Sequence, residues 1–493
     1  MKKILLSTLL IVAMLVNVVA LTGCFGGGGD GDGNGDGSGN GGIPETPPEQ
    51  YNVQAYDGSP VTITFYHTMG AQLQNVLNLA LEDFNAMYPN IKVEHQSLGD
   101  YDGLRNQINT ELGGGKQPNI AYCYPDHVAI YKDLQGVLPL DAFINSTLTV
   151  TKADGTTEIM GLTAEQQADF VKTYWNEGKV FDSFGTMYTL PMAKSTEALY
   201  YNKTFFDNFE DEQGKISVPT TWEEMESVCR RIKAKYPDSI PLGYDSESNW
   251  FITRLAQLGA DYTSIDPNNH YTFNNLTAVD ILEEAHEWYK DGLVKTEKTN
   301  GSYTSDLFTL PLDTSVDKAF MVVGSTGGAS YQAADKIDDE AIFEVAIAPL
   351  PQANAAAPKT ISQGPSLCLF KDSNPQDVAA SWLLIKFLTT DILFQARFSM
   401  QSGYAPVIGA AKENEVYKNW LATSTELPAL AVKSTVSQEH AYFTSPAFNG
   451  SSKARTEAEN VMYNVMTYTG TDVRVKAGEE LGKALANCKK AGN

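Results

Sequence analysis

Cysteine is scarce in this 493-residue chain, and its five cysteines are far apart. They stand at Cys24, Cys123, Cys229, Cys368 and Cys488, with no CxxC pair and no neighbouring histidine cluster. Zinc sites need closely spaced thiolate and imidazole ligands, so the spacing argues against one and we expect no metal. We expect the last four cysteines to be buried free thiols, with one or two disulfides as the alternative in an oxidising compartment.

Basic residues are also scarce relative to acidic ones. The chain has 36 Lys and Arg against 60 Asp and Glu, which gives a formal charge of −24. Nucleic acids and anionic lipid surfaces are bound through basic side chains. We therefore expect no nucleic-acid partner and no charge-driven membrane binding.

The chain lacks the local motifs of several enzyme classes. It contains no GxSxG elbow, no HExxH pair and no GxxxxGK[ST] loop. We therefore expect a protein that is not an enzyme and uses no cofactor. A secreted glycosidase, which needs only two carboxylates, is the alternative from the enzyme class. An adhesion or scaffold protein is a third possibility.

The N-terminus has the pattern of a secretory signal. Two lysines precede an apolar run from Ile4 to Val19, and the run closes on Leu21-Thr22-Gly23-Cys24. That run is shorter than the roughly 20 residues of a membrane-spanning helix, and no later stretch is long enough either. The ending resembles a bacterial lipobox, which implies that residues 1–23 are removed and Cys24 is lipidated. The alternative is an ordinary signal peptide with a chance cysteine.

A flexible tether is predicted after Cys24. Residues 26–42 are almost entirely Gly, Asp, Asn and Ser, and three prolines follow before residue 50. Such a composition cannot bury enough apolar surface to offset the entropy of ordering. We therefore expect residues 24–56 to link a lipid anchor to a folded part that begins near residue 57.

The folded part begins with an α/β pattern. The alternating run Val61–Tyr66 predicts a strand, and apolar residues three and four apart from Leu73 to Met87 predict a helix. Ile91–Glu94 then predicts a second strand and Asn119–Cys123 a third. Strand, helix, strand in this order indicates a parallel sheet.

Two later segments predict helices with defined starts. Thr221 and Glu224 form a capping-box pattern, followed by inward-facing Met225, Val228, Cys229 and Ile232. A further helix is predicted from Asn374-Pro375, with Val378, Trp382, Ile385 and Leu388 packed inward.

An ordered series of short motifs extends from about residue 60 to 480. Its members are Tyr88-Pro89-Asn90-Ile91, Gly115–Ile120, Thr189-Leu190-Pro191 leading to Leu199–Lys203, Pro219–Glu224, Lys318–Gly324, Ala348-Pro349-Leu350-Pro351 and Ser402–Pro406. The series resembles the carbohydrate-type extracellular solute-binding proteins of ABC importers, the family of maltose-binding protein. Tyr66-His67-Thr68-Met69 and Gly403–Pro406 also resemble its glycerol-3-phosphate-binding branch.

The resemblance implies a two-lobed, type II periplasmic-binding-protein fold, in which each lobe is a mainly parallel sheet flanked by helices. By position, one lobe comprises residues 57–195 and 365–398, and the other comprises 196–358 and 405–493. Hinge crossings are expected near 194–200, 359–365 and 395–404.

The resemblance also implies how the protein works. A monomer, held by its lipid anchor on the outer face of the bacterial cell membrane, would close on a small-molecule ligand and present it to the permease subunits of an ABC importer. The expected ligand is a sugar or oligosaccharide. The alternative is sn-glycerol-3-phosphate or a glycerophosphodiester.

A sugar site requires an aromatic stacking surface and fixed hydrogen-bonding groups. Because ligands bind beyond the carboxyl ends of parallel strands, Tyr66, Tyr124 and Trp250 are candidate stacking surfaces, with His67 and Asp126 as hydroxyl partners. Each has a structural alternative. Tyr66 and Trp250 would belong to the core, His67 would be a satisfied polar residue, and Asp126 would cap the helix that follows it.

Further candidates lie on the small-residue loop after strand 319–323 and on the expected crossings: Gly324, Ser325, Gln363, Tyr404 and Lys194. The alternative role of the loop is a plain turn, and Ser362-Gln363-Gly364 would then only shape the hinge. Lys194 and Arg397 would pair with a phosphate if the ligand is a glycerol phosphate. Their alternative role is that of surface charges.

Overall fold

The computed structural model describes residues 47–266, 268–311 and 317–491. The predicted signal segment, Cys24 and the Gly-rich stretch of the tether lie outside the described residues. Within the described ranges, no helix combines the length and the apolar character that crossing a membrane requires.

The strands are short and are distributed over the whole described chain. In chain order they are β1 (Val61–His67), β2 (Ile91–Ser97), β3 (Ile120–Cys123), β4 (Thr149–Thr151), β5 (Thr157–Ile159), β6 (Leu190–Pro191), β7 (Glu197–Asn202), β8 (Glu210–Asp211), β9 (Gly214–Lys215), β10 (Leu242–Tyr244), β11 (Val294–Thr296), β12 (Met321–Ser325), β13 (Lys336–Ile337), β14 (Glu340–Ala341), β15 (Val345–Pro349), β16 (Thr360–Ile361), β17 (Ser366–Leu369) and β18 (Tyr442–Phe443).

Helices alternate with these strands and dominate the last third of the chain. They are α1 (Ala71–Met87), α2 (Tyr101–Leu112), α3 (Pro125–Asp133), α4 (Asp141–Ile144), α5 (Ala164–Asp169), α6 (Lys172–Glu177), α7 (Lys203–Asn208), α8 (Trp222–Lys235), α9 (Glu247–Gln257), α10 (Leu276–Lys290), α11 (Glu297–Asn300), α12 (Ser305–Phe308), α13 (Pro375–Thr390), α14 (Ile392–Ser402), α15 (Gly409–Lys412), α16 (Glu415–Thr423), α17 (Leu427–Gln438), α18 (Ser451–Met466) and α19 (Val473–Ala491).

The fold has two lobes, each built on one five-stranded sheet. The first sheet has the order β2-β1-β3-β17-β6 and the second β11-β10-β12-β7-β15. In the first, only β17 runs against the other four strands, and in the second only β7 does. Both sheets are therefore mainly parallel, as expected, and each has its own apolar core.

Local sequence determines the predicted elements closely. The predicted first strand matches β1, whose alternate residues are buried, and α1 buries Leu77, Ala80, Leu81 and Phe84. Thr221 accepts from the backbone N–H of Glu224 and completes the predicted capping box of α8. In α13, all four residues expected to face inward are buried. The described cysteines are free and buried.

The end of the predicted tether is ordered, which corrects its expected boundary. Tyr51 stacks on Phe143 with 5.2 Å between ring centroids, and Tyr56 is buried in the first core. Two tyrosines and Val53 supply the apolar surface that the glycine-rich stretch lacks, so this segment can offset its ordering entropy.

The segments that connect the lobes lie side by side. Lys194 pairs with Ala405, and Ser195 pairs with Gln363, in isolated antiparallel bridges. A further segment joins them that the sequence did not suggest. There β18 pairs in parallel with β16, and the Ser362 N–H donates to the Phe443 carbonyl at 2.9 Å.

The chain re-enters the second lobe at a later position than residue 405, where the sequence placed the boundary. Val407, Ile408 and Ala411 pack in the first core, whereas α17 packs against β15 of the second sheet. We therefore place this boundary after α15.

Gly364 on the second crossing tests how tightly these segments are packed. It has φ +91°, and an added Cβ would lie 2.3 Å from the Ala193 carbonyl oxygen. Gly301 has a similar φ of +83° with no atom within 4 Å of an added Cβ. In urea unfolding, Gly301→Ala should lower the free energy of unfolding by about 1–2 kcal/mol, because alanine is strained in the left-handed backbone conformation. Gly364→Ala should lower it by about 1–3 kcal/mol more, because the added Cβ would also overlap the Ala193 carbonyl oxygen. Equal losses would contradict the close packing of the crossings.

Candidate functional site

A pocket of about 280 Å³ lies between the two lobes. The first lobe lines it with α2 and the start of α3, and the second lobe with α9, Tyr262-Thr263 and α18. The connecting segments supply the remaining wall through residues 361–363 and 444–446. We call this third side the hinge wall.

The first lobe contributes an aromatic surface. The Tyr101 and Tyr124 rings are 4.5 Å apart between centroids, and His127 meets Tyr124 edge-on at 5.9 Å. Tyr124 directly follows β3 and is the N-cap residue of α3, so it lies at the carboxyl end of a parallel strand. The Gly364 N–H donates to its hydroxyl at 3.4 Å, which ties this surface to the hinge wall.

Both arginines of the pocket are already partnered. Arg105 of α2 lies 3.0 Å from Asp102 and donates to the Ser452 hydroxyl of α18 at 2.7 Å, which is a direct contact between the lobes. Arg455 of α18 donates to the Asn249 side chain.

The lining is slightly acidic overall. Arg105 and Arg455 face Asp102, Asp126 and Glu459, so two positive charges meet three negative ones for a net charge of −1. Burial lowers the pKa of the His127 imidazole, which favours its neutral form.

Several buried polar atoms of the lining have no hydrogen-bond partner among the described residues. They are Gln363 Oε1, His127 Nδ1, Tyr262 Oη and Thr263 Oγ1. A buried polar atom without a partner costs about 1–3 kcal/mol, and native structures contain few of them. Unpartnered polar atoms also occur in the cores, but these four lie on the walls of one pocket, where the hydrogen-bonding groups of a ligand would meet them.

A buried ion pair lies directly behind the hinge wall. Lys194 is fully buried and pairs with Glu177, whose residue is 3% exposed. Lys194 also donates to the Gly364 carbonyl at 3.0 Å, and Ser362 and Thr444 donate to the Glu177 carboxylate. One ion pair therefore joins α6 to three of the connecting segments.

A second buried carboxyl group lies behind the second lobe's wall. Glu197 begins β7 and accepts from the Tyr244 hydroxyl at 3.0 Å, and Asn249 also bonds its side chain. Burial, with a smaller contribution from Asp245, raises the pKa of Glu197 to about 7, although the hydrogen bonds from Tyr244 and Asn249 and the charge of Arg455 oppose the shift. Because Asn249 also holds Arg455, this carboxyl is connected to the pocket through one side chain.

Three of the sequence-predicted site residues meet in this pocket: Tyr124, Asp126 and Gln363. The helix-cap alternative for Asp126 is wrong. Helix α3 begins at Pro125 with Tyr124 as its N-cap, no side chain caps it, and Asp126 lies in the first turn.

Trp250 lies in the second core instead of the pocket. It is 2% exposed and stacks on Tyr244 with 4.9 Å between centroids and 5° between planes. Ser248 and Ile252, four residues apart on one face of α9, line the pocket in its place. Two residues along a helix correspond to about 200° of rotation, so Trp250 points away from that face.

Tyr66 and His67 are held within the first lobe. Tyr66 packs against the first core and its hydroxyl donates to Glu111 at 3.4 Å. The Met69 N–H donates to His67 Nδ1 at 3.1 Å, and His67 Nε2 lies 2.9 Å from His95 Nδ1, so both ring nitrogens are used. Burial lowers the pKa of His67 to about 3, with His95 contributing.

The remaining candidates lie near the crossings and do not line this pocket. Gly324 faces Asp245, and Ser325 accepts from the Gly327 N–H. The Tyr404 ring packs so closely on Gly327 that an added Cβ would lie 2.4 Å from it. Arg397 lies 3.8 Å from Asp83 at an exposed position. It does not line the pocket in which a ligand phosphate would bind.

Sequence reasoning missed most of the second lobe's contribution. Arg455, Tyr262 and Thr263 line the pocket, yet no strand end, glycine loop or crossing marks them in the sequence. Tyr101 and Arg105 follow β2, and the same strand-end rule that selected Tyr124 would have found them.

Comparisons with known proteins agree with this architecture. The family model of bacterial extracellular solute-binding proteins matches residues 80–425. A multiple sugar-binding protein of Streptococcus mutans is 24% identical over 199 residues, which cover 40% of this chain and 39% of that protein. The match therefore spans about two fifths of this curated relative's length.

Two solved structures resemble the whole described fold. The structure of UgpB from Mycobacterium tuberculosis in complex with glycerophosphocholine has a TM-score of 0.68 at 18% identity, covering 88% of this chain and 99% of that one. The cyclic alpha-maltosyl-1,6-maltose binding protein of Arthrobacter globiformis has a TM-score of 0.65 at 19% identity, covering 87% and 100%. At these identities the likeness shows the fold alone.

The buried ion pair yields a stability prediction. Lys194→Met leaves the Glu177 charge unpaired in the interior, which should cost about 3–5 kcal/mol in urea unfolding. Lys203→Met removes the Lys203–Asp207 ion pair, in which both side chains are more than one third exposed, and should lower the free energy of unfolding far less because solvent screens the two charges. Similar costs for the two variants would contradict the interior position of Lys194.

Glu197 yields a pH prediction. The usual pKa of 4.5 rises to about 7 in the folded chain, so between these values the folded state holds a proton that the unfolded state releases. Protonated Glu197 therefore makes its full contribution to the free energy of unfolding below about pH 4.5. This contribution falls by about 3 kcal/mol as the pH rises to 7. Glu197→Gln should flatten that part of the stability–pH profile. The exposed Glu415→Gln should leave it unchanged, and an unaltered profile in Glu197→Gln would refute the raised pKa.

Proposed function

Because the chain belongs to the bacterial extracellular solute-binding proteins, we propose that it captures a sugar or oligosaccharide between its lobes for the permease of an ABC importer. The observation that carries the proposal is the pocket between the lobes, where four buried polar atoms without partners lie beside the Tyr101–Tyr124 surface.

The shape and chemistry of the pocket suit a sugar. A sugar ring has apolar C–H faces that stack on aromatic rings and a rim of hydroxyls that donate and accept hydrogen bonds. Tyr124 and Tyr101 supply the stacking surface. Gln363, Tyr262 and Thr263 supply polar atoms on the other two sides. The volume of about 280 Å³ is at the small end of ligand pockets, which favours a ligand of one or two rings.

Charge favours a neutral ligand over a phosphate. A phosphate dianion would enter a lining with a net charge of −1 and would compete with Asp102 for Arg105. A neutral polyol adds no charge to this lining.

Glycerol phosphate esters are the second candidate ligand class. The two arginines lie on opposite lobes of one pocket, as a clamp on an anion would require. The structurally similar UgpB carries glycerophosphocholine in its structure.

The proposal includes the site of action. The lipobox-like Leu21–Cys24 and the glycine-rich stretch would hold the lobes at the outer face of the cell membrane, where a binding protein meets both solute and permease. We propose binding without chemical turnover, by a monomer that needs no cofactor.

Isothermal titration calorimetry with maltose, maltotriose, sn-glycerol-3-phosphate and glycerophosphocholine tests the ligand class. We expect saturable one-to-one binding of a maltose-type sugar, with the sugar recovered unchanged. Preferential binding of a phosphate ester would transfer the role to the second candidate class. Hydrolysis of a sugar would identify an enzyme and contradict the proposal.

Tyr124→Ala tests the stacking surface. Loss of the ring should weaken sugar binding by about 1–3 kcal/mol, because its contact area with the sugar is lost. Tyr51→Ala is the matched control, since it removes a ring of equal size from the same lobe outside the pocket. Equal affinities of the two variants would remove Tyr124 from the site.

A further inference from the structure

Two hydroxyl groups of the hinge wall are held by the same carboxylate. Ser362 Oγ donates to Glu177 Oε2 at 2.8 Å, and Thr444 Oγ1 donates to the same oxygen at 3.2 Å. Both residues line the pocket, whereas Glu177 lies behind them with 3% of its surface exposed.

Glu177 acts only as an acceptor in this arrangement. The fully buried Lys194 ammonium donates to the other oxygen, Oε1, of the carboxylate, while Ser362 and Thr444 donate to Oε2. The oxygens of a carboxylate that pairs with an ammonium group accept hydrogen bonds and donate none. The direction of both hydrogen bonds is therefore fixed, from the hydroxyls to the carboxylate.

This direction determines what the hydroxyls offer to the pocket. A serine or threonine hydroxyl has one proton and two lone pairs. Since each proton is used on Glu177, Ser362 and Thr444 present only lone pairs to a ligand. On the same wall, Gln363 Oε1 has no partner among the described residues and is a further acceptor, whereas the Gln363 amide nitrogen is a donor.

We propose that Glu177 is a specificity-determining positioning residue, which orients Ser362 and Thr444 so that their part of the hinge wall accepts hydrogen bonds and selects a ligand edge bearing O–H or N–H donors. The inference rests on the proposed function of the pocket and deepens it by defining one edge of the ligand.

The opposite side of the pocket has the complementary polarity. Arg105 and Arg455 are donors only, and they project from α2 and α18. A bound sugar would point free hydroxyl hydrogens at the hinge wall and its oxygens at the arginines. An ionised phosphate group offers no donor, so it is disfavoured beside Ser362 and Thr444. A sugar alkylated or esterified along that edge is disfavoured for the same reason.

Neutron diffraction from deuterium-exchanged crystals of the protein tests the orientation without any ligand. The deuterons of Ser362 and Thr444 should lie on the lines from their oxygens to Glu177 Oε2. Deuterons directed into the pocket would overturn the inference. This outcome does not depend on which solute the protein carries, so it is separable from failure of the proposed function.

A paired variant tests the effect on selectivity. In Glu177→Gln/Lys194→Met the amide can donate to a hydroxyl oxygen, which frees that hydroxyl's proton for the pocket, and no buried charge is left unpaired. Glu457→Gln/Lys453→Met is the matched control, because it replaces a Glu–Lys pair of α18 whose residues do not line the pocket.

The probes are maltose and sn-glycerol-3-phosphate, titrated into all three proteins by calorimetry. In Glu177→Gln/Lys194→Met, the ratio of the sugar affinity to the phosphate affinity should shift toward the phosphate by at least tenfold, and the control should keep the wild-type ratio. The selectivity role would be overturned if this variant unfolds at the same urea concentration as wild type and still shows the wild-type ratio. If wild type binds neither probe, the proposed ligand class fails and the deuteron positions alone decide the inference.

Discussion

The Glu177–Lys194 ion pair is the interaction on which the relation between the two lobes depends. It lies where α6 meets the connecting segments, and its hydrogen bonds reach Ser362, Gly364 and Thr444. Buried ion pairs add little net stability because desolvation offsets the attraction, but removing one partner is costly. The pair therefore fixes one geometry for segments that have no extended sheet of their own to align them.

That geometry makes the pocket a property of both lobes and the hinge together. Arg105 reaches Ser452 across the opening, and Gln363 contributes from a crossing. A ligand that satisfies the unpartnered atoms gains free energy only when all three sides are in place. On the proposed function, such a ligand would have a higher affinity for the closed arrangement, and binding would be coupled to lobe closure.

Much of the fold was predictable because it is encoded locally. The alternation in Val61–His67, the capping box at Thr221 and the apolar face of α13 each depend on residues a few positions apart. The site was less predictable because its walls come from distant segments. Rotation along α9 decides that Ser248 faces the pocket and Trp250 the core, and the sequence does not reveal which face is free. Lys194 was a candidate from the sequence, but its partner Glu177 lies 17 residues away on another element, and no local pattern connects the two.

Solution X-ray scattering tests the central claim, that a solute bound between the lobes holds them closed, most directly. The protein should be measured alone and saturated with the sugar that binds it most tightly. The account predicts a smaller radius of gyration in the ligand-bound state, with the change abolished in a variant that cannot bind. Identical scattering curves for the free and the saturated protein would contradict it.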